Sequence, residues 1–118
     1  MHTEDTEGIL QECDAGVKTA LDSIDAVIDR TNNEELRTAL KKSRTEHVQL
    51  ANEITTLLDE HGLAGKDQSG MAKLMTHTKI ASELLMEPTD ATVAELMIDG
   101  CNMGIKKLSE YINRFPTA

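Results

Sequence analysis

The side chains best suited to chemistry in this sequence are two cysteines and two histidines, Cys13, His47, His77 and Cys101. Each falls on a different one of four stretches whose apolar spacing predicts a helix. Two thiolates and two imidazoles would satisfy a tetrahedral zinc ion. Counting residues along antiparallel helices sets His47 level with Gly16, His77 with Ile9 and Cys101 with Gly8. At ~1.5 Å of rise per residue, the four lie within about 12 Å along one axis. That spread is wide for one ion, and the spacing follows no zinc signature. A cysteine on a helical seam more often serves as a small hydrophobe. A histidine inside a leucine seam is more often a core residue hydrogen-bonded to a neighbour, and for His47 the neighbours are Ser43 or Asp14. His2 and His61 read as exposed, one at a terminus and one at a helix end.

The elements that would carry these residues follow from periodicity and cap chemistry. Helix 1 is expected over Gly8 to Arg30, with Leu10, Cys13, Val17, Ala20, Ile24 and Val27 inward at steps of three and four. Thr31-Asn32-Asn33 supplies a turn and an N-cap, and Glu34 and Glu35 then sit where the helix dipole favours acids. Helix 2, Glu34 to His61, carries a heptad seam of Leu36, Leu40, Ser43, His47, Leu50, Ile54, Leu57 and His61. Gly62 is a natural stop, and Gly62 to Gly70 reads as a loop. Helix 3 spans Met71 to Met86, with Met71, Leu74, Met75, Thr78, Ala81, Leu84 and Leu85 inward, and Pro88 ends it. Thr89 or Asp90 caps helix 4, which runs from Asp90 to Phe115. Its seam is Ala94, Ile98, Cys101, Ile105, Leu108, Ile112 and Phe115. Short links between consecutive helices predict a single all-α domain, an antiparallel up-down-up-down four-helix bundle.

Composition narrows the function classes. The core must be aliphatic, because Tyr111 and Phe115 are the only aromatic residues. With 21 acidic against 12 basic residues the net charge is −9, which repels phosphate backbones and anionic lipid. Nucleic acid and membrane are therefore not expected partners, and no apolar run approaches the ~20 residues of a membrane span. The start of the chain lacks a secretory pattern, and two cysteines without C-x-x-C spacing fit a reducing compartment, so a cytoplasmic location is expected. No Gly-rich phosphate loop, nucleophile elbow or paired catalytic carboxylates occur. No catalytic residue and no cofactor are implied, apart from the metal ion that the four residues above would hold.

An internal echo relates the first and last helices. Leu10 to Lys18 aligns with Ile98 to Lys106, sharing Cys-[Asp/Asn]-x-Gly-[Val/Ile]-Lys. Gly16 and Gly104 fall at matching mid-helix places, where glycine costs about 1 kcal/mol relative to alanine. The expectation is that helices 1 and 4 pack closely there and that Gly104→Ala destabilises. Met71, Met75, Met86, Met97 and Met103 crowd the second half, chiefly as core filler. Ile80 lies off the helix 3 stripe, and the surplus apolar surface on that helix would suit a homodimer.

Two stretches carry a family resemblance. Glu12-Cys13-Asp14-Ala15-Gly16 is similar to the first helix of short bacterial ferritin-like four-helix bundles, a family without an assigned activity. So are Arg44-Thr45-Glu46-His47 and the following Ala51-Asn52-Glu53-Ile54. The likeness runs from Ile9 to Phe115 and implies a ferritin-like bundle. A di-iron or di-manganese site on that fold needs Glu-x-x-His from two helices, and no glutamate here has a histidine three residues later. Glu46, Glu53 and Glu60 read as a solvated acidic stripe beside the helix 2 seam. The expected function is that of a non-enzymatic, structural or interaction-mediating protein. The other reading is a metal-binding or metal-storage relative with an altered ligand set.

Overall fold

Cap chemistry sets the boundaries of the elements. The structure is a computed structural model that describes residues 3–67 and 69–118, so His2 lies outside the described residues. Four helices form, α1 (Thr3–Ile28), α2 (Glu34–Glu60), α3 (Gly70–Met86) and α4 (Asp90–Arg114). No strand occurs among the described residues. The Asn33 side chain accepts the Leu36 N–H at 2.9 Å, Ser69 that of Ala72 at 3.1 Å, and Thr89 that of Thr92 at 3.2 Å. Each satisfies one of the donors that a helix start leaves unpaired. Helix α2 stops at Gly62, whose φ of 65° suits glycine best. There the Gly62 N–H bonds the Asp59 carbonyl at 3.1 Å and the Leu63 N–H bonds the Leu58 carbonyl at 2.8 Å. Leu63 folds back onto Leu58, which completes a Schellman stop.

Of the two candidate caps for α4, Thr89 is the one used. Asp90 instead accepts the backbone N–H groups of Asn32 and Asn33, each at 2.9 Å, so the first turn of α4 holds the α1–α2 turn.

Helix α1 is the hub. It touches all three other helices, most extensively α2, while α3 and α4 also touch each other. One core cluster joins Ile24 and Val27 to Leu40, Ile80, Leu84, Val93 and Leu96, and so draws on every helix. A smaller cluster at the other end, Val17 with Ile54 and Leu58, holds only α1 and α2, with Leu10, Cys13, Ala51 and Leu63 packed on it. Helix α4 returns along α1 in the opposite sense. Val93 clusters with Val27 at one end, and the Phe115 ring rests against Gly8 at the other.

The segment between α2 and α3 departs from a simple loop. The Ala64 carbonyl accepts Gln11 Nε2 at 3.0 Å, the Lys66 N–H donates to Asp14 at 2.9 Å, and Lys18 Nζ donates to Asp67 at 2.9 Å. This strap climbs α1 by two turns before α3 begins. Helix α3 therefore stands level with the far half of α1, where Lys73 Nζ lies 3.8 Å from Asp22. His77 is level with Asp22 and Asp25 rather than with Ile9.

Three expectations about burial are corrected. On α4, Ile98, Cys101, Ile105, Leu108 and Ile112 are exposed, because this face lies to one side of the line of contact with α1 set by Val93, Tyr111 and Phe115. On α3, Met71, Leu74, Met75, Thr78, Ala81 and Leu85 are exposed, whereas Ile80 is buried beside Leu84. On α2, Leu50 and Leu57 are exposed, and Leu58 takes the buried place, while His61 is exposed as expected at a helix end. Gly16 and Gly104 are also exposed, and a Cβ on either would meet no atom within 4 Å. The close approach of α1 and α4 occurs instead at Gly8, where a Cβ would collide with the Phe115 ring.

Candidate functional site

The four residues picked for metal chemistry occupy four different settings. Cys13 is half-buried in the α1–α2 cluster, where desolvation first and the Glu12 charge second push its thiol pKa up. His47 is half-buried, and its Nδ1 lies 2.7 Å from the Ser43 carbonyl and 3.3 Å from Ser43 Oγ. Of the two partners expected for it, Ser43 is the one used. His77 is exposed in a groove of about 380 Å³ between α1 and α3, lined also by Asp22, Asp25 and Arg30. Cys101 is exposed on α4. Among the described residues, no three His, Cys, Asp or Glu side chains stand together as a metal would require. The acids of the His77 groove are already matched, Asp22 by Lys73 at 3.8 Å and Asp25 by Arg44 at 2.7 Å.

A cluster that residue types alone did not single out is centred on Asp14. Its carboxylate is buried at 3 % exposure, accepts the Lys66 N–H and pairs with Lys18 at 2.9 Å. Lys18 in turn bonds Asp67, and the two carboxylates raise the Lys18 pKa, Asp14 first. Beside them Lys66 pairs with Glu12 and holds that carboxyl below its usual range, with Tyr111 adding a smaller share. Burial, followed by the Glu12 charge, raises the Tyr111 phenol. The cluster fastens the strap and the end of α4 to α1. No buried side-chain nitrogen or oxygen among the described residues lacks a partner. The signal legible in advance was the Asp14–Lys18 spacing of four, which pairs opposite charges on one helix face.

The remaining candidate is a surface. Ile54 and Leu58 point α2 at α1. At about 100° per residue, Leu50 and Leu57 then lie roughly 80° round α2, toward the side of α1 that carries Ile9, Gly16 and Ala20. Val93, Tyr111 and Phe115 fix the side of α4 that meets α1, by their contacts with Val27, Glu12 and Gly8. The same geometry turns Ile98, Cys101, Ile105, Leu108 and Ile112 toward that side of α1 as well. The result is an open groove floored by α1 and walled by α2 and α4. Its walls carry exposed aliphatic side chains, Leu50 at 47 % and Leu57 at 41 % exposure on α2, and Ile105 at 64 % and Ile112 at 65 % on α4. Monomeric soluble proteins rarely leave so many large aliphatic side chains in one exposed patch. No helix among the described residues is long and apolar enough to cross a membrane, so the face is not part of a spanning segment. No family model matches this chain, and comparison with curated proteins and with solved structures finds no match.

Proposed function

We propose that this protein is a non-enzymatic helical-bundle protein of ferritin-like, up-down-up-down type that acts by presenting a helical surface to a partner. One observation carries the reading. The 3–4 apolar repeat of α4, from Ile98 to Ile112, is as regular as a coiled-coil seam and stands exposed, as do Leu50 and Leu57 on α2. Burial of such a stripe is what normally stabilises an amphipathic helix, so an open stripe is explained by a partner that covers it. The polar clusters support the same reading, since their charges are spent on each other and on backbone donors. Elemental analysis of untagged protein tests it against the metal-binding or metal-storage alternative. Metal far below one ion per chain is expected. A full equivalent, lost on Cys13→Ser, would overturn the reading.

A further inference from the structure

We propose that the partner is a second copy of this chain, and that the α4 seam of each copy fills the groove between α2 and α4 of the other. The inference rests on the interaction reading above and names its occupant.

Area gives the first argument. The chain exposes 7913 Å². Monomeric proteins of 13.0 kDa expose about 6,300 Å² by the usual scaling of surface with mass. Its elongated 49 × 25 × 22 Å shape accounts for part of the surplus. Covering half of that ~1,600 Å² surplus on each chain would give a two-copy interface in the standard size range.

The groove itself gives the second. At its closed end all four helices share one core, around Val27, Val93 and Leu40. At its open end only α1 and α2 share one. One helix is missing from that cross-section, and α4 of a second copy has the length and the seam to supply it. A two-fold arrangement lets each copy give what it receives.

Self-compatibility is the third. Residues flanking the α4 seam are Asn102, Gly104, Ser109 and Tyr111, none of them charged. Two α4 helices can therefore meet without setting like charges face to face. Asp99, Lys106, Lys107 and Glu110 lie farther round, and Glu95 flanks the seam only at its start, one turn before Ile98. On α2, Glu46, Glu53 and Glu60 run beside Leu50 and Leu57 at spacings of three and four. An incoming α4 would bring Lys106 to that acidic rim, which matches charge of opposite sign. Helix α3 also exposes Met71, Leu74 and Met75, but the two walls of this groove are α2 and α4.

Sedimentation equilibrium of the full chain tests the proposal. The expected result is a dimer at micromolar concentration. Ile105→Asp and Leu50→Asp, on opposite walls of the groove, should each raise the dissociation constant at least ~30-fold, with helical circular dichroism retained. Leu74→Asp on α3 should leave it unchanged. Cys101 should react with a thiol reagent more slowly as protein concentration rises, and in Ile105→Asp that dependence should vanish. A monomeric wild type, a dimer that survives both groove substitutions, or a dimer broken by Leu74→Asp alone would each overturn the proposal. A metal-free monomer would remove self-association and leave the interaction reading standing, which fails only on stoichiometric metal.

Discussion

The Asp14 carboxylate accepts the backbone N–H of Lys66 at 2.9 Å, across 52 residues of sequence. That bond fastens the strap to α1 and thereby sets the level at which α3 begins. Replacing Asp14 by alanine strands the Lys66 N–H and leaves Lys18 with Asp67 as its one carboxylate partner. The expected loss is about 1–3 kcal/mol in denaturant melts, because a buried acceptor is withdrawn from a donor that cannot follow it. Asp14→Asn, which keeps one acceptor, should lose less.

Gly65 and Gly100 should respond to alanine with opposite signs. A Cβ on Gly65 would lie 2.6 Å from Asp14 Oδ2, against a carboxylate held in place from two sides. Gly65→Ala should destabilise by about 1–3 kcal/mol. Gly100 is exposed inside α4, and a Cβ there meets nothing within 4 Å. Gly100→Ala should stabilise by a few tenths to about 1 kcal/mol through helix propensity alone. Thermal melts of the two variants read both signs.

Asp90 acts at the opposite end of the molecule. Its two oxygens take the N–H groups of Asn32 and Asn33, which have no helical carbonyl to bond. Asp90→Ala should cost about 1–2 kcal/mol even though Thr89 still caps α4. A loss no larger than that of an exposed substitution such as Asp99→Ala would show that the tie is idle.

Stability should fall on the acid side of neutrality, in part through Glu12. The Lys66 hydrogen bond holds its folded-state pKa below the ordinary value. Its contribution is therefore complete above about pH 4.3, the unfolded carboxyl value, and is lost as pH drops through the lower folded value. Lys18 has the reverse sense. Its pKa is raised by Asp14 and then Asp67, so its share is complete below about pH 10.4 and is lost as pH climbs through the higher folded value. Denaturant melts from pH 3 to 7 should show a shallower acid decline in Glu12→Gln than in the wild type.

Much of the fold could be read from local chemistry. Asn33, Gly62 and Thr89 mark helix ends because capping depends on residues within a few positions of each other. Periodicity did less. It reports which residues share a face, and for α4 it grouped Ile98, Ile105 and Ile112 correctly, but it carries no record of what covers that face. The strap that sets the level of α3 lay equally out of reach, because its hold depends on Asp14 meeting the Lys66 backbone, a contact between distant segments. Ile80 shows the same limit from the other side. It lies off the stripe drawn for α3 yet stands one turn before Leu84, and the two enter the shared core together on one face. The place of His77 beside Asp22 and Asp25 follows from the level of α3 that the strap sets.

Helix α4 is fixed at Val93 and Leu96, and again at Tyr111 and Phe115, while every residue from 98 to 110 is exposed. Its midsection resembles a plank resting on two supports. Local opening of that span breaks only its own hydrogen bonds and uncovers no core, so it fluctuates on its own free-energy scale rather than that of global unfolding. Gly100 and Gly104 fall within the same span and lower the scale further. The part of the molecule best shaped to meet another surface is thus also the part that can flex to fit it without loosening the rest.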